Sequence, residues 1–260
     1  VVVCQGLKHI VGDMQTTHPT AMIAVPLLIE TLHKKIQKNI EKAGKDSMVK
    51  SMIRLTNGLR NVGIDVKKKV FKDIYESLGG KLRIIVSAAA PIDPAVGKWL
   101  VDIGFTFLQG YGLTECAPMA ALNQDVNPRN DSVRHVLPGV EVMIADKDED
   151  GIGEICLKGP NVMMGYYNMP EETAKVIVDG WFHTGDLGYT DGPYIYITGR
   201  KKNVIITRNG KNVFPEELEY YLGKSTLVSE SMVWASQDDA GQDAVIVATI
   251  KPDMEEVEAE

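Results

Sequence analysis

Cysteine is scarce in this sequence, and its few copies lie far apart. The three residues, Cys4, Cys116 and Cys156, include no CxxC pair of the kind that zinc sites and small disulfide scaffolds use. The five histidines also lack the spacing of a metal site. We therefore expect reduced thiols in a cytoplasmic protein, with neither a disulfide framework nor a structural zinc ion.

Excess positive charge and long apolar runs are also absent. The formal net charge is −7 and the isoelectric point is near 5.4. This balance argues against a nucleic-acid partner, because neutralising phosphates requires a clustered positive surface. No uninterrupted apolar run approaches the roughly 20 residues of a transmembrane helix, so we expect no integral membrane segment. The apolar fraction of 44% is typical of a globular protein with a core.

One stretch departs from the acidic balance. Residues 26–41 predict a helix, since Pro26 suits a first turn and leucine or isoleucine recurs every four residues. Basic side chains stand between these apolar positions: Lys34, Lys35, Lys38 and Lys42. This basic side is either a solvated face or a weak contact with a membrane surface.

The N-terminus has neither an initiating methionine nor the basic leader of a secretory signal. We therefore expect a fragment of a longer protein. Its 260 residues suffice for one large domain or two smaller ones.

Residues 82–108 alternate between strand and helix patterns. The apolar run 82–86 is typical of a strand buried on both faces, and residues 105–108 predict the next strand. Between them, Asp93 suits a helix N-cap and Pro94 its first turn. This is a βαβ unit with a parallel sheet. Ligands bind at the carboxyl ends of such strands, where the segments 87–91 and 109–115 follow.

The second of these segments, residues 109–115, reads QGYGLTE. Glycines on both sides of Tyr111 let the backbone approach a flat ligand ring. The hydroxyl of Thr114 and the carboxylate of Glu115 suit a phosphate oxygen and a hard cation. The alternative is a strand end with a glycine turn and a helix N-cap pair.

After residue 135 the pattern becomes mainly β. Alternation over 140–145 and 154–158, around an acidic turn, predicts a hairpin. Further elements are predicted at 170–178 (helix), 194–197 and 204–207 (strands), 215–222 (helix), 231–235 and 244–251 (strands). The predicted fold class is α/β, with a partly parallel sheet containing the βαβ unit and a β-rich subdomain, followed by a small α+β C-terminal domain. We place the boundary between domains 1–199 and 200–260.

Four segments, in this order and spacing, resemble the adenylate-forming (AMP-binding) superfamily of acyl-CoA synthetases, luciferases and peptide-synthetase adenylation domains. They are residues 88–91 (AAAP), 109–115 (QGYGLTE), 183–188 (HTGDLG), and 199–202 (GRKK) continuing to 209–211 (NGK). Residues 25–30 and the lysine-rich helices before residue 80 are most similar to the long- and medium-chain fatty acyl-CoA synthetases. The resemblance implies an ATP-dependent acid–thiol ligase. Such an enzyme activates a carboxylic acid, here a fatty acid, as an acyl-adenylate and transfers the acyl group to coenzyme A.

The resemblance also implies contacts to ATP or AMP. Tyr111 would stack on adenine, Thr114 would hydrogen-bond the α-phosphate, and Glu115 would ligate Mg²⁺; a core tyrosine is the alternative for Tyr111. The family usually has glycine where Ala88 stands. The backbone of two further groups would border the nucleotide: Ala88, Ala89, Ala90 and Pro91; Gln109, Gly110 and Gly112.

Downstream, the resemblance implies that Asp186 accepts hydrogen bonds from the ribose hydroxyls. Arg200 would donate to the same sugar. Lys202 matches the hinge about which the small domain turns, and Gly210 matches a glycine beside the pantetheine arm. The alternatives are that Asp186 is a turn aspartate, that Arg200 is a surface arginine, and that Gly210 is simply part of an Asn-Gly turn. Trp181 and His183 flank the aspartate motif and are expected only to pack. For the acyl pocket, the candidate residues are Val86, Ser87, Gly110 and Met119.

Two parts of the family pattern are missing from the sequence. No Ser/Thr/Gly-rich loop ending in lysine precedes residue 88, and the small-domain lysine that assists adenylation does not occur before the chain stops. We therefore expect this polypeptide alone to be inactive or nearly so. Two alternatives remain: an acyl-AMP ligase or amino-acid adenylation domain, and a non-catalytic AMP-binding module. A dinucleotide oxidoreductase is disfavoured because no GxGxxG follows a strand.

Overall fold

A computed structural model of the chain describes residues 1–4, 6, 9–90, 92–123, 133–134, 136–207, 211–225, 227–237 and 243–258. Pro91, expected at the nucleotide site, and Gly210, expected beside the pantetheine arm, lie outside these described residues. The chain forms two compact units, Val1–Leu137 and Pro138–Glu260. The expected domain boundary after residue 199 falls within the second unit and stays a prediction.

The first unit combines helices with a small, mainly parallel sheet. Strands β1, β2 and β3 run parallel in that order, and β4 is antiparallel to β3. The elements are α1 (Ile10–Thr17), β1 (Ala21–Ala24), α2 (Pro26–Lys42), α3 (Asp46–Asn61), α4 (Lys67–Val70), α5 (Lys72–Ser77), β2 (Ile84–Ser87), α6 (Pro94–Asp102), β3 (Thr106–Tyr111), the 3₁₀ turn η1 (Thr114–Cys116), β4 (Ala121–Leu122) and β5 (Val133–Arg134).

The βαβ unit predicted from the sequence is confirmed as β2–α6–β3. The Asp93 carboxylate accepts a hydrogen bond from the Ala95 N–H at 2.8 Å, which caps α6 as the sequence predicts. The core under this sheet includes Ile85, Leu100 and Phe107, all buried. Burying such side chains contributes roughly 1.5–3 kcal/mol each, so this core fixes the strand ends.

The lysine-rich region before β2 forms two short helices. α4 and α5 meet at Phe71, whose φ of −99° and ψ of 28° leave the helical range. Phe71 is buried, and the Lys67 ammonium donates to the Val101 carbonyl at 3.0 Å. The break thus lies where both side chains turn toward the core.

The second unit is built mainly from antiparallel strands. Four of them form a sheet in the order β10-β9-β7-β6, and β8 also pairs with β9. The elements are β6 (Glu141–Ala145), β7 (Gly153–Lys158), α7 (Pro170–Val176), β8 (Ile177–Val178), β9 (Trp181–Asp191), β10 (Tyr194–Arg200), β11 (Ile205–Ile206), β12 (Asn212–Val213), α8 (Pro215–Leu222), β13 (Val228–Gln237), β14 (Asp243–Pro252) and α9 (Met254–Val257).

The hairpin predicted around the acidic turn is confirmed as the antiparallel pair β6–β7. A second hairpin was not predicted. The helix expected over 170–178 ends at Val176, and β8 turns into β9 through Asp179 and Gly180, whose φ values are 51° and 79°. Two consecutive positive φ angles are the mark of a type I′ turn.

Among the described residues, no helix is both long enough and apolar enough to cross a membrane.

Candidate functional site

The carboxyl ends of β2 and β3 lie side by side in the first unit. Ser87 on β2 is the register partner of Gln109 on β3. The two segments expected to border adenine therefore leave the sheet from adjacent parallel strands, as the sequence predicts. This is the edge of a parallel sheet at which ligands bind in open α/β folds.

Two polar atoms at this edge are buried without a partner among the described residues. They are Ser87 Oγ and Gln109 Oε1, and the two residues are 0% and 8% exposed. An unsatisfied buried oxygen costs about 1–3 kcal/mol. Such atoms are therefore expected to meet a donor from water or a ligand. The edge thus fits a polar ligand with hydrogen-bond donors, such as an adenine amino group.

The backbone after β2 is strained. The Ala88 N–H donates to the Ala24 carbonyl at 3.3 Å, which continues the ladder for one residue. Ala89 then adopts a φ of 82°, in the region that costs a side-chain-bearing residue roughly 1–2 kcal/mol. Ala89 and Ala90 are exposed. Strained backbone of this kind clusters at ligand sites.

The two glycines that flank Tyr111 face other parts of their own chain. A Cβ on Gly112 would lie 1.9 Å from the Pro118 carbonyl oxygen, and one on Gly110 would lie 2.6 Å from the Met119 sulfur. Tyr111 itself is buried, and its carbonyl accepts from the Ala120 N–H at 2.8 Å. Gly112 is therefore required by the return of residues 118–120 onto β3, whereas Gly110 packs against the flexible end of the Met119 side chain. Their closeness to a ligand ring stays a prediction.

Thr114 and Glu115 lie in the turn η1 that follows β3. Thr114 is exposed and Glu115 is half-buried. The residue in the N-cap position is Leu113, and no side chain caps this turn. The alternative reading of Thr114 and Glu115 as an N-cap pair is therefore not what the structure shows.

The acyl-pocket candidates also gather around this sheet edge. Val86 and Met119 are half-buried, and Ser87 and Gly110 are buried. The Met119 sulfur would lie 2.6 Å from a Cβ on Gly110.

In the second unit, Asp186 and Arg200 form a pair across β9 and β10. They are register partners, and Arg200 Nε donates to Asp186 Oδ1 at 2.8 Å. Asp186 is 5% exposed, and its N–H donates to Thr184 Oγ1 at 3.0 Å. The structure therefore brings together the two residues that the resemblance assigns to ribose, on neighbouring strands of one sheet.

Sequence reasoning missed a buried carboxylate next to this pair. Glu154 on β7 accepts from the Gly185 N–H through Oε1 at 3.0 Å and from Lys201 Nζ through Oε2 at 2.9 Å. Nδ1 of His183 lies 3.2 Å from the same Oε2. Burial alone would raise the pKa of Glu154, but the hydrogen bonds from Lys201, His183 and Gly185 outweigh it and lower the pKa. Glu154 is therefore ionised at neutral pH.

Cys156 adds a sulfur to this cluster without adding reactivity. Its Sγ lies 3.4 Å from His183 Nδ1, but the side chain is fully buried. Burial, followed by the nearby Glu154 charge, raises the pKa of the thiol to about 11. Since the thiolate is the nucleophile and metal ligand, this Cys–His–Glu group is structural. His183, expected only to pack, thus also joins a polar network.

Lys201 and Lys202 follow β10 and are exposed. The hydrogen bond to Glu154 raises the pKa of Lys201. Lys202, the expected hinge, lies directly after this anchored residue. Trp181 is half-buried, with the Lys158 ammonium 5.7 Å from its ring centroid.

No group of three or more metal-ligating side chains occurs in the part of the chain that the structure describes. Mg²⁺ is commonly held by one or two carboxylates together with substrate phosphates. The half-buried carboxylate of Glu115 has the required chemistry.

Comparison with known proteins shows which family the chain resembles. The sequence pattern of the AMP-binding enzyme family matches residues 1–167. The chain is 30% identical over 241 residues to the long-chain-fatty-acid–CoA ligase FadD15 of Mycobacterium bovis, covering 87% of this chain and 39% of that protein. It is 33% identical over 191 residues to a long-chain-fatty-acid–CoA ligase of Salmonella typhimurium, covering 70% and 32%. The chain thus spans about two-fifths or less of these relatives.

Solved structures show the same fold. ATP-bound MatB from Rhodopseudomonas palustris is 28% identical, with a TM-score of 0.67 over 96% of this chain and 43% of that one. The o-succinylbenzoate CoA synthetase of Bacillus subtilis, in complex with its acyl-adenylate, is 22% identical with a TM-score of 0.69, over 95% and 44%. The mixed α/β fold of this chain is therefore that of adenylate-forming enzymes.

Proposed function

Because the chain belongs to the AMP-binding enzyme family, we propose that it carries nucleotide-binding residues of an ATP-dependent acid–CoA ligase acting on a fatty acid. The observation that supports this most is the edge of β2 and β3. There, two segments of the family pattern emerge side by side above two buried oxygens that lack a partner among the described residues. The fatty acid is proposed by analogy with the relatives at 30% and 33% identity, which are long-chain-fatty-acid–CoA ligases.

In the first unit, the chain's own groups would bind and orient the nucleotide. The backbone of residues 88–90 would border adenine, and Tyr111 would stack on it. Gln109 Oε1 would accept from a donor on the ring, which would satisfy its buried oxygen. Thr114 would donate its hydroxyl hydrogen to the α-phosphate, at the phosphorus that the carboxylate substrate attacks. Positioning of this kind supplies most of the catalysis in phosphate chemistry.

Glu115 would hold Mg²⁺, whose contribution when bound is to neutralise charge on the crowded triphosphate. A carboxylate beside the Thr114 hydroxyl is suited to this task, since the metal and the α-phosphate contact would then share one turn of backbone. Coenzyme A would be the acceptor in the second half-reaction.

In the second unit, Asp186 would accept hydrogen bonds from the ribose hydroxyls, and Arg200 would donate to the same sugar. The Asp186 carboxylate is buried and accepts a hydrogen bond from Arg200. Lys202 would be the pivot about which the small domain turns after pyrophosphate has left, so that the coenzyme A thiol can attack the acyl-adenylate and AMP can leave. Residues 200–260 are proposed as that domain, and Gly210 is proposed to lie near the pantetheine arm.

The 260-residue chain alone is proposed to bind AMP but to form little acyl-adenylate. Its sequence contains no Ser/Thr/Gly-rich loop with lysine for the β- and γ-phosphates. Without such a loop, the negative charge of the leaving pyrophosphate would lack a stabilising partner from this polypeptide.

Calorimetric titration with AMP tests the nucleotide assignment. Hydrogen bonds to a charged group contribute about 1.5–3 kcal/mol, so Asp186→Asn should weaken AMP binding by about tenfold or more. Asp191→Asn is the matched control, because Asp191 is exposed at the end of the same strand. Equal affinities for the parent chain and the Asp186 variant would refute the role of Asp186.

The reaction is tested by incubating the chain with ATP, Mg²⁺, coenzyme A and fatty acids of increasing length, then measuring AMP and acyl-CoA. We expect nucleotide binding without appreciable turnover, and turnover near that of family enzymes would contradict the proposed inactivity. For a longer protein containing this chain, product formation without coenzyme A would indicate an acyl-AMP ligase. AMP binding indifferent to Mg²⁺ and carboxylate would indicate a non-catalytic module.

The proposal also covers the cellular compartment and the basic side of α2. A cytoplasmic site of action is supported by the three free cysteines, which suit a reducing compartment. The basic side of α2 is proposed to be a solvated face, with weak contact to an anionic bilayer as the alternative. Co-sedimentation with phosphatidylserine vesicles separates the two.

A further inference from the structure

The Asp186–Arg200 pair is not held firmly on the arginine side. Although Asp186 is buried, the Arg200 side chain is 54% exposed, and exposed ion pairs are held loosely because each side chain loses entropy in forming them. A pair that must present fixed oxygens to a ribose needs further support from the backbone on both strands. The structure provides that support from a third strand.

Glu154 reaches both strands next to the pair. Its Oε1 accepts from the N–H of Gly185, the residue before Asp186, at 3.0 Å. Its Oε2 accepts from Nζ of Lys201, the residue after Arg200, at 2.9 Å. The Lys201 N–H also donates to the Gly185 carbonyl at 2.8 Å. One carboxylate thus joins the two neighbours of the pair to each other.

The local backbone is arranged around this carboxylate. The pairing of β7 with β9 shifts register between Glu154 and Cys156, the kind of irregularity that redirects a side chain. Gly185 has a φ of 72°, yet a Cβ there would meet nothing within 4 Å. Glycine is therefore needed at 185 for its backbone conformation, which turns the N–H toward Glu154.

We propose that Glu154 is a positioning residue for the ribose-binding pair Asp186–Arg200. It acts by fixing the backbone of Gly185 and the side chain of Lys201 on either side of that pair. The inference rests on the proposed function, since it assumes that Asp186 and Arg200 bind ribose. Glu154 itself does not touch the ligand.

The test compares two ligands that differ only at the ribose hydroxyls, AMP and 2′,3′-dideoxy-AMP, by calorimetric titration of the 260-residue chain. Glu154→Gln keeps the side-chain volume and an acceptor for Gly185 but loses the charge that holds Lys201. We expect AMP binding to weaken about tenfold, the usual effect of removing a partner that orients a ligating group. Dideoxy-AMP binding should change by no more than about twofold, as for an independent site.

A second variant guards against loss of folding. Lys201→Met leaves the buried carboxylate in place and should show the same ligand pattern, more weakly. Glu172→Gln on α7 is the matched control, because Glu172 is half-exposed and pairs only with Lys175 among the contacts described for it. Urea unfolding of each variant checks that the fold is intact.

The outcomes separate the two levels of inference. If the parent chain does not bind AMP, or binds both ligands equally, the ribose role of Asp186 fails and the positioning role fails with it. If the parent chain discriminates but Glu154→Gln weakens both ligands equally, or neither, the positioning role alone is wrong. A selective loss for AMP in the Glu154 and Lys201 variants, absent from Glu172→Gln, supports it.

Discussion

Replacing Gly112 by alanine tests whether the glycines around Tyr111 serve the chain or a ligand. Gly112 has no positive φ, so alanine brings no backbone strain and the added methyl group is the whole perturbation. That methyl group would lie 1.9 Å from the Pro118 carbonyl oxygen and 2.7 Å from Met119 Cα. Both neighbours are backbone atoms, which cannot rotate away as a side-chain end can.

The size of the effect follows from these distances. Since real Cβ contacts essentially never fall below 3.0 Å, the segment at Pro118 must move by more than an ångström. Overpacking that shifts backbone costs about 1–3 kcal/mol and occasionally more, and Gly112→Ala should reach the upper part of that range. Gly110→Ala should cost less, because its methyl group meets the flexible end of the Met119 side chain.

Urea unfolding followed by far-UV circular dichroism measures both costs. The matched control is Gly58→Ala, where an exposed glycine inside α3 has nothing within 4 Å. Alanine there should stabilise the chain by about 0.5–1 kcal/mol, because a helix interior favours alanine over glycine. If Gly112→Ala changed stability by under about 0.5 kcal/mol, the level of an ordinary surface change, the chain-packing explanation would be wrong. Weakened AMP binding with unchanged stability would favour the ligand-side role.

Three further predictions concern the second unit and the thiols. Phe182→Ala removes a ring that is 2% exposed and should lower the unfolding free energy by about 3–5 kcal/mol; a loss under about 1 kcal/mol in urea unfolding would contradict its place in the core. The pKa of Glu154 is lower in the folded chain than in the unfolded chain. Ionised Glu154 therefore stabilises the fold above about pH 5, and this stabilisation is lost as the pH falls below the unfolded-state pKa, near 4.3. The stability difference between the parent chain and Glu154→Gln should therefore shrink on acidification, and a difference independent of pH would refute the charged network. In thiol labelling of the native chain at neutral pH, exposed Cys4 should react first, and buried Cys116 and Cys156 only after unfolding; mass spectrometry of the labelled peptides gives the order.

Helices and strands could be predicted where the residues that signal them lie within or next to the element itself. Helix α8 matches its prediction at both ends, because Pro215 marks the first turn and Gly223 the C-cap. The βαβ unit was predictable since strands buried on both faces consist of continuous apolar residues. Its carboxyl edge followed from topology alone, without any knowledge of side-chain contacts.

Strand β9 was missed because its buried side is not apolar. The buried positions after Phe182 are Thr184, Asp186 and Gly188, so the alternation that reveals a half-buried strand is hidden. One visible signal was overlooked: Asp179 and Gly180 stand between apolar residues, which is the strongest short-range sign of a hairpin.

Glu154 could not be recognised from sequence because its partners are remote. Lys201 is 47 residues away and Gly185 is 31 residues away. Their contact depends on the order of strands in the sheet and on the register shift in β7. Neither can be predicted from a short stretch of sequence. In sequence, Glu154 looks like the solvent-facing member of an alternating strand.

Strand β1 gives the first unit a property that matters for handling the chain. Among the described residues it is an edge strand of its sheet, and Ile23 on it is 79% exposed, with Val25 just beyond at 49%. An open edge with apolar side chains is a template on which another copy can add a strand. Concentrated solutions of the isolated chain should therefore aggregate through this edge, and a lysine at position 23 would act as a gatekeeper against it.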